Sequence, residues 1–458
     1  MPPARLFKPR YSENFRCIGP ACEDSCCEQW TVYVDQSAFE KLQSVPAGPL
    51  RTLIDANVLR TSPEADLPGG TASAFAQIRM ADDAKCPLLS TEGLCRIHQE
   101  QGESHLPHMC ATYPRAVYSV QGEIEKALAL SCPEAARQVL LDPHLPVSLA
   151  EDRESPASNV GMSGSNPWQP HFWPVRDFAL TLVRNRALPL WQRLFLLDLF
   201  SRRLDAIAPG DLDQQVPALL SGFTIAIHSG SLLPGMQALA VDHAKQLDLV
   251  LRLAGMLLKR SNLRPRFIEC IQAFTNGLGD GPANTFESLT ARYEEAHDRY
   301  FAPFFLRHPH ILENYLINTI FRCRFPFGSE WARNGAVPSM SRESALLIAQ
   351  FALMKGLLIG VSGFHRETFS ADHVVHTVQA ASKHFDHHLD FLSGAHASLV
   401  EKGLDGPKGL VILLRNEESV ELQPAAPSLQ PSMHALSRSQ DVPLKAPSSV
   451  AWPMASVE

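Results

Sequence analysis

Residues 17–27 read CIGPACEDSCC, which spaces the cysteines as Cys17-x4-Cys22-x3-Cys26-Cys27. With Cys86, Cys95, Cys110 and Cys132, eight of the ten cysteines fall within the first 132 residues. The other two, Cys270 and Cys323, are isolated. This asymmetry divides the chain. Thiol chemistry has to account for the N-terminal region, and ordinary apolar patterning for the rest.

Thiolates are soft ligands, and Cys-only sites select zinc or iron–sulfur clusters. Four thiolates suffice for one structural zinc or one [4Fe-4S] cluster. The eight thus supply one cluster with spare thiols, or two sites. Zinc ribbons repeat C-x2-C pairs, and none occurs here. Adjacent Cys26 and Cys27 reach one tetrahedral ion poorly but can serve different irons or different sites. Cys86-Pro87 and Cys132-Pro133 resemble the Cys-Pro end of ferredoxin runs. The pattern favours an iron–sulfur cluster over zinc, with Cys17, Cys22, Cys26, Cys27, Cys86, Cys95, Cys110 and Cys132 as candidate ligands. The C-x3-C-x2-C spacing of radical S-adenosylmethionine enzymes is not met, because Gln29 stands where the third cysteine would be. Disulfides, and buried thiols acting as small hydrophobes, are the alternatives.

The surrounding composition narrows the class. A chain of 458 residues, 45% hydrophobic and 19% charged, is globular and longer than one domain usually runs. A net charge of -7 gives no support to nucleic acid as a partner. The opening MPPARLFKPRYSENF has no apolar core of a secretory signal. The most apolar run, Ala345 to Ile359, is shorter than the ~18–20 residues of a membrane span. Gln350 and Lys355 also interrupt it. It reads as a buried core helix, without membrane insertion. A cytoplasmic location follows, and in a reducing compartment clustered cysteines point to metal binding or catalysis.

Four segments emerge: a Cys-rich domain at 1–150, a linker at 151–170, a helical domain at 171–405 and a disordered Pro/Ser-rich tail at 417–458. Within the first, residues 1–15 are an irregular lead-in. Trp30–Val34 reads as a strand, a helix starts near Ser37, and residues 61–72 form a loop. Residues 116–131 form a hairpin turning at Gln121-Gly122. Ser131 to Glu134 has the form of a capping box for a helix over Pro133–Leu141. Cys132 then sits at a helix N-terminus, where the dipole favours a thiolate. In the helical domain, Val250, Leu253, Ala254, Leu257 and Leu258 recur at helical spacing, as do Leu190, Leu194 and Leu197. A third stripe is Ile311, Leu312, Tyr315, Leu316, Thr319 and Ile320. No strand–helix alternation occurs. The expected fold is mainly α: a small Cys-rich metal- or cluster-binding domain with short strands, plus a larger all-helical domain.

The stretches FRCIGPACEDSCCEQWTVYVD (15–35), KCPLLSTEGLCRI (85–97), HMCATYPRAV (108–117), LALSCPEAARQVLL (128–141) and ILENYLINTIFRCRFPF (311–327) resemble the flagellin lysine N-methylase family. A weaker match is KHFDHHLDFL (383–392). The Cys-rich part is similar to a zinc- or iron-chelating domain found more widely in bacteria. The resemblance implies methylation of lysine side chains of flagellin, S-adenosylmethionine as donor, and an iron–sulfur cluster. The chain carries no strand–G-x-G–helix donor fingerprint. The rival reading is therefore a non-enzymatic metal-binding or redox-sensing adaptor.

Methyl transfer to lysine needs a neutral amine in line with the sulfonium methyl. Glu313 and Asn314 stand off the apolar stripe, and Asn314, Asn318 and Arg322 share a face. That face is expected to line a cavity towards the Cys-rich domain. Tyr113 and Arg115 follow Cys110 closely and are candidates to orient a cluster or bind the donor carboxylate. These four residues (Glu313, Asn314, Tyr113 and Arg115) are the catalytic candidates. His384 and His388 have metal-capable spacing but lack an H-E-x-x-H glutamate, so they read as an ordinary histidine patch, and Glu294, Glu295 and His297 as an exposed helix face. Neither a P-loop nor a G-x-S-x-G elbow is present.

Overall fold

The computed structural model describes residues 7–28, 31–61, 75–120, 123–145, 147–149, 166–237, 239–260, 263–279, 285–328, 339–386 and 389–416. Most of the expected linker, most of the loop at 61–72 and the expected tail lie outside these residues.

A small lobe forms first along the chain. Strands β1 (Phe7–Pro9), β2 (Val32–Val34), β3 (Val58–Arg60) and β4 (Ala76–Ile78) are all short, and β2-β4-β3 make one antiparallel sheet. Val32 and Val34 point inward from β2, as the strand period dictates. Helices α1 (Gln36–Gln43) and α2 (Pro49–Asn57) cover this sheet, with Leu42, Leu50 and Ile54 in the core. Asp35 starts two helices at once. Its Oδ1 accepts from Ala38 N at 2.9 Å, and its Oδ2 accepts from His108 N at 3.2 Å. Helices α3 (Arg96–Gln101) and α4 (His108–Thr112) close the lobe.

The chain then joins the body. The expected hairpin is β5 (Arg115–Val120) and β6 (Glu123–Leu128), paired from Val120–Glu123 to Arg115–Leu128, and α5 spans the expected Pro133–Leu141. The capping box does not form. Cys132 is the N-cap without a side-chain bond, Ser131 Oγ pairs with Tyr113 Oη at 3.1 Å, and Glu134 binds Arg137. Strand β7 (Val147–Leu149) pairs antiparallel with β1. Tyr11, Phe15 and the stretch from Ala127 to Leu145 share the body's core, whereas the lobe's own core runs from Val32 to Ile97.

The body consists of α6 (Phe172–Val183), α7 (Leu190–Asp205), α8 (Leu212–Ser229), α9 (Leu233–Gln237), α10 (His243–Leu258), α11 (Pro265–Gly277) and α12 (Phe286–Ala296). A π-helical turn at His297–Phe301 leads into α13 (Ala302–Arg307) and α14 (His310–Arg322). Helices α15 (Met340–His365), α16 (Ala371–Phe385), α17 (Leu389–Glu401) and α18 (Pro407–Leu414) complete it. Trp168, at the end of the expected linker, is buried in a satellite cluster with Phe172 and Phe200.

Helix α15 organises the body. It is long and apolar enough to span a membrane, yet its most apolar window is wholly buried within the protein. Small residues let its neighbours approach. A Cβ on Gly277 of α11 would lie 1.8 Å from Gly360 O, and one on Gly360 would lie 2.4 Å from the Phe274 ring. The expected stripes are buried, except that Leu190 is half-buried and Leu258 is 40% exposed. His297 is buried, not exposed as expected, while Glu294 and Glu295 are exposed. Burial holds its imidazole down to about 4, which keeps it neutral.

Candidate functional site

Four separate stretches of chain bring the cysteines together. The first, residues 17–28, has no regular structure beyond one 3-10 turn at Gly19–Ala21, where Gly19 takes a positive φ of 55°. Local bonds to sulfur shape it: Gly19 N donates to Cys17 Sγ at 3.4 Å, and Cys22 Sγ to Asp24 O at 3.5 Å. Cys86 N donates to Cys27 O at 2.8 Å, joining the second stretch to the first. A bridge between Leu89 and Cys95 folds Cys95 back to cap α3. Cys110 lies within α4, and Cys132 caps α5.

All eight cysteines line one cavity of about 530 Å³. Val32, Ile78, Leu88 and Ile97 from the lobe core form its apolar side. Phe15, Tyr113 and Arg115 close the side next to the body. His98 and Glu103 stand at an exposed rim. Cys22 and Cys86 also face a second cleft of about 490 Å³, which Glu28, Asp83 and Lys85 help to line.

Burial sets the protonation of these thiols. It pushes Cys86 up to about 11 and Cys132 up to about 12, and it raises Cys22, Cys95 and Cys110. The expected thiolate at Cys132 is therefore not favoured. The amides of Glu134 and Ala135 pull in that direction, but desolvation outweighs them. In the adjacent pair, the hydrogen bond from the Cys27 thiol favours the Cys26 thiolate, which is lowered to about 7, while Cys27 is raised. The Lys383 ammonium adds to the stabilisation of Cys26.

Eight soft donors around one cavity have the chemistry of a thiophilic group. Among the described residues, however, no set of three or more His, Cys, Asp or Glu side chains is arranged to hold a metal ion. A single ion needs converging ligands.

The catalytic candidates divide. Tyr113 and Arg115 do reach the cavity. Burial holds the Tyr113 phenol well above its usual range, so it is a neutral hydrogen-bonding group. Arg115 donates to Phe15 O at 3.1 Å and lies over the Phe15 ring. Glu313 and Asn314 are elsewhere. Glu313 is buried and pairs with Arg193 at 2.8 Å and Arg186 at 2.9 Å. Asn314 Nδ2 donates to Asp142 O at 2.7 Å and Val139 O at 3.0 Å, closing the end of α5. On the same face, Asn318 accepts from Tyr11 Oη at 2.9 Å and from Leu128 N at 3.2 Å. Arg322 pairs with Asp386 at 2.8 Å. Asn314 and Asn318 thus meet the N-terminal region, largely through its backbone, whereas Arg322 pairs within the body, and none of the three lines the cysteine cavity. His384 is buried, tilted against the Phe267 ring, and accepts from Arg264 N at 3.4 Å. His388 lies outside the described residues.

Spacing did not reveal Asp24, Arg264, Gln379 and Lys383. Asp24 lies inside CEDSCC and its three partners come from the body. Lys383 opens the weakly matching stretch 383–392, which was the one available signal.

Comparison with known proteins bears on both regions. The family model described as FliB lysine N-methylase C-terminal domain matches residues 176–413. A lysine-N-methylase of Salmonella typhimurium is 23% identical over 407 residues, covering 85% of this chain and 94% of the relative. Another of that name, from Salmonella choleraesuis, matches to the same extent. The flagellar biosynthetic protein FliU of Salmonella muenchen is 29% identical over 139 residues, 30% of this chain and 78% of its own. No solved structure matches. Since the family model alone spans just over half of the chain, the protein belongs to the FliB lysine N-methylase family.

Proposed function

We propose that the protein is a methyltransferase acting on lysine side chains of another protein, with S-adenosylmethionine as donor and flagellin as the favoured substrate. The observation that carries this reading is the match to a lysine-N-methylase over 85% of this chain and 94% of that protein's length. The flagellar name of a third relative supports the choice of substrate. We place the reaction in the cytoplasm, where thiols stay reduced.

The donor supplies an electrophilic methyl group. The new N–C bond uses the amine lone pair, the C–S pair stays on sulfur, and lysine loses one proton. The chain has to deliver a neutral amine. Val32, Ile78, Leu88 and Ile97 supply an apolar wall that disfavours an ammonium. Tyr113, held neutral, is suited to orient a lone pair and not to take a proton. Glu103 and His98, which line the rim, are the groups to which we assign that proton. An iron–sulfur cluster held by the cavity cysteines would act as a structural or regulatory anchor, cross-linking the four stretches that carry them.

The test uses full-length protein purified without oxygen, isotope-labelled S-adenosylmethionine and purified flagellin. Label on flagellin lysines, with iron and sulfide matched in the enzyme, is the expected result. Absence of both donor binding and transfer would overturn the reading in favour of the adaptor. Transfer by a protein containing only zinc would retain the enzyme and remove the cluster.

A further inference from the structure

A second polar cluster lies between the cysteine cavity and the helical body, and the methyl-transfer reading makes no use of it. At its centre is Asp24, between Cys22 and Cys26, with a side chain only 9% exposed. Its Oδ1 accepts from Lys383 Nζ at 2.7 Å and from Arg264 at 3.2 Å. Its Oδ2 accepts from Gln379 Nε2 at 2.6 Å. Lys383 also donates to Ser25 O at 3.3 Å, and Arg264 to Glu28 O.

Gln379 makes the arrangement specific. It is fully buried on α16. Besides Asp24, its Nε2 donates to Ser131 O at 3.0 Å, while its Oε1 accepts from Arg266 Nε at 2.9 Å. The two acceptors and the one donor permit a single amide orientation. Ser131 precedes Cys132, and its hydroxyl pairs with Tyr113 Oη at 3.1 Å. One side chain of the body therefore ties the Cys22–Cys27 stretch to Cys132 and Tyr113. The 17–28 stretch has no α-helix or named strand of its own to fix its position. Buried charge-assisted bonds of this kind hold geometry because an unmatched partner is costly.

We infer that Asp24 and Gln379 are positioning residues, through which the helical body sets how Cys22, Cys26 and Cys27 face Cys132 and Tyr113 across the cavity. Arg264 and Lys383 complete the grip on Asp24. This role does not depend on what the cavity binds.

The test measures alkylation of each cysteine by N-ethylmaleimide, quantified by peptide mass spectrometry, on full-length reduced protein stripped of metal. The half-buried Cys22 and Cys27 are the reporters. In Asp24→Ala and Gln379→Ala they should react about tenfold faster, which corresponds to about 1.4 kcal/mol of lost local protection. Cys86, Cys95 and Cys110 should keep their rates, and Asp24→Glu should recover part of the protection. Unchanged rates at Cys22 and Cys27 would overturn the inference. Equal acceleration at every cysteine would also overturn it, since that outcome means general loosening. Should Asp24→Ala fail to fold, Lys383→Met, which leaves Gln379 and Arg264 on Asp24, decides on the same readout. No methyl transfer is measured, so this inference and the proposed function fail independently.

Discussion

Among the described residues, the small lobe's core holds twelve buried apolar side chains between Val32 and Ile97, whereas the body buries one helix, Met340–His365, along most of its length. A core of the lobe's size gives limited stability by itself, and small domains of this kind rely on added cross-links or ligands. The cysteines stand where such a link would act. The body needs none. It is held by close helix crossings and by buried polar pairs such as Arg176–Glu125, whose side chains are 2% and 1% exposed. The difference shows how chemistry and stability are shared out: the site lies in the weaker partner and the stronger one holds it in place.

Substitutions can break that comparison or sharpen it. The largest effect is expected from Gly277→Val, because a Cβ there meets Gly360 O at 1.8 Å. The loss should be on the order of 4 kcal/mol or more, seen as loss of the cooperative melt. Retained helicity with an unchanged melting temperature would show that the crossing does not hold the body. Next is Arg176→Met, which strands the buried Glu125 and should cost about 4 kcal/mol in denaturant unfolding. Adding Glu125→Leu should recover much of it. Ile54→Ala should cost about 3 kcal/mol confined to the lobe. Hydrogen exchange should quicken over α1 and α2 and stay slow in α10 and α15. Equal quickening in the body would mean that the two regions open as one.

The body also carries a pH dependence. His297 is buried and held down to about 4, below its ordinary 6.5. Its stabilising contribution is complete above pH 6.5 and is lost as pH falls towards 4, because the unfolded chain takes up the proton first. By pH 5 the loss should be about 2 kcal/mol, and His297→Phe should flatten that slope in thermal melts. The smallest effect is expected on the lobe surface. Asp55→Ala removes a half-exposed partner of Arg51 and should change stability by a few tenths of a kcal/mol.

The body was legible in the sequence because helical spacing reports a buried face, as along Val250 to Leu257. Helix α5 was readable from Pro133, and the hairpin from its turn. The eight cysteines were readable as one group because their number was unusual. What spacing could not show was the environment of each residue. Cys132 has the helix terminus expected of a thiolate, but desolvation decides its state. Asn314 and Asn318 were recognised as a polar face, and only their partners, the backbone of Asp142 and Leu128 and the Tyr11 hydroxyl, show that the two side chains fasten the N-terminal region. Asp24 and Gln379 are 355 residues apart, a separation that no local pattern spans.

That separation also has a meaning in time. A ribosome adds about 5–20 residues each second. Asp24 therefore emerges some 20 to 70 s before Gln379 and Lys383 exist, with the rate taken from the same range. During that interval the cysteines of CEDSCC are already made, while the groups that grip their loop are still to come. The nascent chain thus passes through a period in which this thiol-rich segment lacks the side chains that later grip it, and that period ends once α16 has folded against it.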